Sequence, residues 1–155
     1  MSSAWCWWDI DVIAAVAPPL KGQITLVPPS ELPPAFADAV KRVARDFGLP
    51  PDWLNSEVSA QLRTGLPPGF QDRISWDQHG GLLVGLASRR DLIFLKLHAA
   101  TDQDPASRHT QDLIALRPTD TELQDAAVWV RTQDATEAFS ELLNRVVEHV
   151  RAHTK

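Results

Sequence analysis

Cysteine is nearly absent from this chain of 155 residues, in which Cys6 is the single one. One cysteine excludes an internal disulfide framework and a zinc site made of several cysteines. The sequence also lacks an apolar run of the ~20 residues that a membrane-spanning helix needs. The formal net charge is −5, which excludes a broadly basic surface for nucleic acid. Residues 1–9 contain no basic residue and resemble no signal peptide, so a cytoplasmic location is the default expectation.

What is present is the composition of an ordinary globular protein, with 44% hydrophobic and 23% charged residues. In the first half, residues 10–16 predict a strand or a short helix, and the β-branched residues 24–27 predict a strand. Ser30 predicts the start of a helix over residues 31–47. Its expected apolar face contains Phe36, Val40, Val43 and Phe47. Asp52 predicts the cap of a short helix over residues 53–62.

A β-hairpin and four helices are predicted in the rest of the chain. Residues 73–77 and 82–86 predict two strands joined through a glycine pair, a spacing typical of a hairpin. Three capping boxes begin helices, at Ser88 with Asp91, at Thr119 with Glu122 and at Asp134 with Glu137. Residues 108–116 form a further short helix before a proline. The predicted fold class is α+β, a small mixed sheet flanked by helices with a helical C-terminal half.

Two segments carry a resemblance to a known family. Residues 47–55 read FGLPPDWLN, and residues 86–99 read LASRRDLIFLKLHA, followed by RHTQDLIAL at residues 108–116. Together they resemble the nucleotidyltransferase-fold domains related to AbiEii-type toxins of bacterial toxin–antitoxin systems. The resemblance covers residues 24–150. It implies a nucleotidyltransferase-like domain over residues 24–155, preceded by an atypical segment over residues 1–23.

The resemblance implies a specific chemistry. In such domains strand carboxylates hold divalent metal ions, usually Mg²⁺, which bridge a nucleoside triphosphate, and an acceptor hydroxyl attacks its α-phosphate. Hard cations prefer carboxylate oxygens, and alternation along a strand places an Asp-x-Asp pair on one face. The expected acids are missing here, because residues 20–30 read LKGQITLVPPS. The chain is therefore expected to be an N-terminally truncated or degenerate member.

Asp9 and Asp11 form an Asp-x-Asp pair interleaved with β-branched residues, so they are the candidate Mg²⁺ ligands. The other interpretation is a solvated or helix-capping acidic pair. The three tryptophans at positions 5, 7 and 8 also have two interpretations, in which their rings stack on a nucleic-acid base or cover the hydrophobic core.

Lys96 and Asp112 are the candidate catalytic residues. The resemblance implies that Lys96 faces the triphosphate, whereas a side chain reaching to solvent is the alternative. Asp112 is a partner for Lys96 or Arg108, and a contact that locks two helices is the alternative to catalysis. His98, His109 and Asp112 offer a weaker metal-site hypothesis, because no third ligand has a clear spacing.

Arg89, Arg90 and Arg108 are the candidate substrate-binding residues. They form a small basic cluster near a helix N-terminus, where phosphate binds readily, and the alternative is ordinary surface solvation. If the chain is active, its expected partners are a nucleoside triphosphate and tRNA or another RNA. A cognate antitoxin is the expected protein partner, and no membrane is involved. The second hypothesis for function is a non-catalytic module that binds such a partner protein.

Overall fold

The structure, a computed structural model, describes residues 10–11, 34–51, 53–55, 65–79, 82–103 and 107–154. Its contacts divide the chain into two units. The first, Met1–Leu66 with Gln78–Val84, is called the N-terminal unit, and the second, Pro67–Asp77 with Gly85–Lys155, the helical unit. Both helices and strands are present and helix predominates, so the predicted α+β class is confirmed.

The N-terminal unit contains a parallel strand pair. Strand β1 (Ile10–Asp11) pairs with β2 (Leu54–Asn55), and Asp11 lies opposite Asn55 in the register. The short helix predicted over residues 53–62 is therefore wrong at residues 54 and 55, because pairing with β1 supplies backbone partners that a helix would supply locally. Asp52, residues 56–62 and the strand predicted over residues 24–27 lie outside the described residues.

Helix α1 (Pro34–Phe47) is the long element of the N-terminal unit. It ends where Gly48 turns to a φ of 64° and the Leu49 N–H donates to the Ala44 carbonyl at 2.8 Å. The predicted apolar face is only partly correct. Val40 and Ala44 are buried, whereas Phe47 is 75% exposed. After Val40, the buried residue of the helix is therefore Ala44 and not the predicted Val43.

The predicted hairpin is confirmed, with its first strand shifted by two residues. Strands β3 (Ser75–His79) and β4 (Leu82–Leu86) form a two-stranded sheet of their own. Gly85 lies against Trp76 and Ile74, since a Cβ atom there would come within 2.7 Å of the Trp76 ring. In the described part of the chain β1–β2 and β3–β4 are separate sheets, which corrects the predicted single mixed sheet.

The described residues of the helical unit form a 3-10 turn at Gln71–Arg73 and four α-helices. The α-helices are α2 (Arg89–Asp102), α3 (Arg108–Leu116), α4 (Asp120–Val130) and α5 (Glu137–Thr154).

The predicted caps of α2 and α4 are present. The Ser88 hydroxyl accepts a bond from the Asp91 N–H, and Thr119 and Glu122 form a reciprocal capping box. The predicted cap of α5 is wrong by two residues. Asp134 instead accepts the Thr136 N–H at 2.8 Å, and the Thr136 hydroxyl accepts the Phe139 N–H at 3.4 Å.

Helix α2 is the centre of the helical unit, because it packs against α3, α4 and α5. Its buried residues surround most of the helix and include Ile93, Leu97 and Ala100, each with no exposed surface. Leu92, one turn before Lys96, is 37% exposed and lies on the less buried side of the helix. Among the described residues, no helix is long and apolar enough to cross a membrane.

We expect Leu97→Ala to lower the free energy of unfolding by about 2–5 kcal/mol, because it removes buried methyl groups and leaves a cavity inside three packed helices. Urea denaturation followed by circular dichroism measures the change. Val128→Ala is the matched control, since Val128 is 65% exposed on α4 and its truncation is expected to cost less than about 0.5 kcal/mol. Equal losses in both variants would contradict this assignment of the core.

Candidate functional site

A buried carboxylate stands at the start of α2. Asp91 has no exposed surface, and its two oxygens accept three hydrogen bonds. The Arg73 Nε donates to Oδ2 at 3.1 Å, the Arg73 Nη2 donates to Oδ1, and the Ser88 hydroxyl donates to Oδ2. Arg73 also donates to the Pro68 carbonyl at 2.8 Å. The segment before β3 is thereby tied to the first turn of α2.

The negative charge of Asp91 is favoured by its position at the N-terminal end of α2. A carboxylate in the first turn of a helix is stabilised by the N–H dipoles that point at it. Hydrogen bonding to Asp91 raises the pKa of the Arg73 guanidinium, with burial acting in the opposite direction. The Arg73 Nε and Nη2 and the Ser88 hydroxyl are directed at Asp91 and at the Pro68 carbonyl, which is the arrangement of a structural clamp.

We expect Asp91→Asn to lower the free energy of unfolding by about 3 kcal/mol, because it leaves the Arg73 guanidinium and Ser88 without their charged acceptor. Chemical denaturation measures the loss. Asp125→Asn is the matched control, since Asp125 forms an exposed pair with Arg90 and such pairs are worth at most about 1 kcal/mol. A loss for Asp91→Asn no larger than the control's would argue against the clamp.

Lys96 and Asp112, the predicted catalytic residues, lie together in the helical unit. The Lys96 Nζ on α2 is 2.8 Å from a carboxylate oxygen of Asp112 on α3. Their side chains are 20% and 39% exposed. Lys96 lies one turn after Leu92 on the less buried strip of α2. The pairing expected from the sequence is present, and the catalytic role of both residues stays a prediction.

Arg89, a predicted phosphate ligand, is engaged by α3 and α4. Its guanidinium contacts the Glu122 carboxylate at 3.2 Å and donates to the carbonyls of Leu116 and Arg117 at 2.7 and 3.2 Å. Arg117 ends α3 in a left-handed conformation with a φ of 47°. A cation bonded to the last carbonyls of a helix stabilises its end. Bonds from Arg89 also lower the pKa of Glu122.

Arg90 and Arg108 occupy different places in the helical unit. The Arg90 Nη1 is 3.2 Å from the Asp125 carboxylate on α4, and its guanidinium lies 5.0 Å from the centre of the Phe94 ring. Arg108 is the first residue of α3, whereas Arg89 contacts the last residue of that helix, Leu116. At 1.5 Å per residue, the two ends of α3 are roughly 12 Å apart. The structure thus brings Arg89 and Arg90 to α4 and places Arg108 at the far end of α3.

The predicted Mg²⁺ ligands fall at the edge of what the structure describes. Asp9 lies outside the described residues, and Asp11 is placed only as the backbone of β1, opposite Asn55. The Mg²⁺ site of Asp9 and Asp11 stays a prediction. Within the described ranges, no group of three or more metal-binding side chains occurs. His98, His109 and Asp112 therefore do not form the three-ligand site considered from the sequence.

His98 lies among aromatic rings in the helical unit. Its ring centroid is 5.9 Å from that of Trp129 and 6.2 Å from that of Phe139. Burial lowers the pKa of His98, while the nearby Asp102 carboxylate acts in the opposite direction. The neutral imidazole is therefore the form that fits the folded protein.

We expect this histidine to make stability depend on pH. Below the unfolded imidazole pKa of about 6.5, the unfolded chain takes up a proton that folded His98 resists, so stability falls as the pH drops from 7 towards 5. Denaturation midpoints at several pH values measure the slope, which His98→Gln should reduce. His79→Gln, at an exposed position on β3, is the control. An unchanged slope in His98→Gln would contradict the assignment.

Sequence reasoning missed Arg73, Glu122 and Asp125 as ion-pair partners. Arg73 meets a carboxylate 18 positions further along the chain, and Glu122 meets its arginine across 33 positions. Neither spacing has a helical or strand period, so no local pattern reveals the contact. Glu122 carried one readable signal, its position in the capping box of α4.

Comparison of the chain with family models, with curated proteins and with solved structures finds no match.

Proposed function

We propose that this chain is a degenerate nucleotidyltransferase-like protein of the bacterial toxin–antitoxin type, which acts by binding a partner protein and not by transferring nucleotides. The family part of the proposal rests on the resemblance of residues 47–55, 86–99 and 108–116. The choice of binding over catalysis rests on one observation, the pairing of Lys96, Arg89 and Arg90 with carboxylates.

That pairing removes local positive charge. Lys96 faces Asp112, Arg89 faces Glu122, and Arg90 faces Asp125. Each pair has a net charge of zero, and the whole chain carries a formal charge of −5. A triphosphate is attracted by unbalanced positive charge, so these pairs offer little field to steer it. The same pairs connect α2 to α3 and α4, which gives them a structural role.

Exposed apolar side chains on α1 support partner binding. Val43 and Phe47 lie one turn apart and are 36% and 75% exposed. A large aromatic ring in water is a frequent anchor at protein interfaces. An antitoxin-type protein that covers this face of the N-terminal unit is the partner we propose.

An active transferase is the second candidate, favoured by the 2.8 Å contact between Lys96, which the resemblance places at the triphosphate, and Asp112, its candidate catalytic partner. In that version Asp9 and Asp11 hold Mg²⁺, which supplies charge neutralisation for the nucleoside triphosphate. The acceptor is a hydroxyl of tRNA or of another RNA.

The two candidates are separated by paired experiments on one preparation. Labelled nucleoside triphosphates with Mg²⁺ and tRNA test transfer, with a variant carrying both Asp9→Ala and Asp11→Ala as the background. Coexpression with the protein encoded by the neighbouring gene, followed by mass measurement in solution, tests partner binding. We expect no label above background and a stable complex.

A matched pair of variants tests the proposed surface. Phe47→Ser should weaken the complex by about tenfold or more, because it removes an aromatic anchor. Lys41→Ser, at an exposed position on the same helix, should leave the affinity unchanged. Label transfer above background would establish the transferase instead, and a monomer in the presence of the neighbouring gene product would exclude the binding proposal.

A further inference from the structure

Two histidines lie side by side near the end of α5. His149 and His153 are four residues apart, the spacing that places side chains on one face of a helix. Their ring centroids are 4.3 Å apart and their planes differ by 29°. Two imidazoles at this spacing on a helix are the arrangement by which zinc enzymes hold a metal ion from one helix face.

A backbone contact determines which nitrogen of His153 can bind a metal. Its Nδ1 lies 2.8 Å from the His149 carbonyl oxygen. A carbonyl accepts and never donates, so Nδ1 carries the hydrogen and Nε2 bears the lone pair. A ring N–H bonded to a backbone carbonyl is also how metal-binding histidines are commonly oriented.

The surroundings favour a cation at this position. Both histidines lie in the last turns of α5, where the carbonyl end of the helix is partly negative. Arg151 stands between them in sequence, but two positions along a helix are about 200° around its axis. Its guanidinium lies 2.9 Å from the Asp120 carboxylate at the start of α4. The cation that stands between the two histidines in sequence is thus paired on another side of the helix.

We propose that His149 and His153 form a two-histidine site for a divalent transition-metal ion, with water completing the coordination. A metal about 2.1 Å from each nitrogen at a tetrahedral angle needs the two nitrogens about 3.4 Å apart. The rings are stacked in the structure, so the His149 ring rotates out of the stack to direct its lone pair at an ion held by the His153 Nε2. Imidazole nitrogen suits Cu²⁺, Ni²⁺ and Zn²⁺ and not Mg²⁺, which prefers oxygen. The site lies outside the residues of the proposed function and stands independently of it.

Calorimetric titration of the whole chain with metal chlorides in a non-chelating buffer tests the proposal. We expect one ion per chain, with Cu²⁺ bound most tightly, then Ni²⁺, and no heat with Mg²⁺. H149Q and H153Q should each weaken Ni²⁺ binding by about tenfold or more. Each variant leaves one imidazole, which lacks a second ligand held nearby at high effective concentration. H79Q is the matched control and should bind Ni²⁺ as the wild type does.

Nuclear magnetic resonance gives a second readout that does not depend on affinity. Substoichiometric Cu²⁺ should broaden the ring signals of His149 and His153 first and leave those of His98 sharp. Circular dichroism of each variant establishes that α5 is still folded. Unchanged Ni²⁺ affinity in both H149Q and H153Q, or broadening centred on other histidines, would overturn the proposal.

Discussion

The carboxylate of Asp91 is the interaction on which the helical unit depends. It is removed from water at the first turn of α2, and it is tolerated there because Arg73, Ser88 and the helix dipole all stabilise its charge. The direction in which α2 leaves the hairpin is set by these bonds. Since α3, α4 and α5 all pack on α2, an error in this one helix would displace every other element of the unit.

Charge in this protein is used mainly to join helices. Lys96 reaches α3, and Arg89 and Arg90 reach α4, each by way of a carboxylate. Exposed pairs of this kind contribute little to stability individually. The sequence favoured phosphate groups as the partners of these cations, whereas in the structure each cation contacts a carboxylate on a neighbouring helix. The choice of binding over catalysis follows from that difference.

The sequence predicted best where the signals are local. The caps at Ser88 and Thr119 and the glycine pair between β3 and β4 are short-range patterns, and the elements they begin or join are where they were expected. Prediction failed where the conformation or the contact of a residue depends on a partner that is distant in sequence. Leu54 became a strand because β1 lies beside it, and the partner of Arg73 is set by the tertiary fold. In the candidate site the Lys96–Asp112 pair was expected from the sequence, whereas the carboxylate partners of Arg89 and Arg90 were not.

The order of the helices has a consequence for how the chain reaches its fold. Helix α2 is followed at once by the helices that cover it, so most of its contacts join segments that are close in sequence. Contacts of this kind close short loops and give rapid folding. Docking of α5 on α2 closes the longest loop within this set of helices. The helical unit is therefore expected to collapse early around α2 and to be completed when its C-terminal helix arrives.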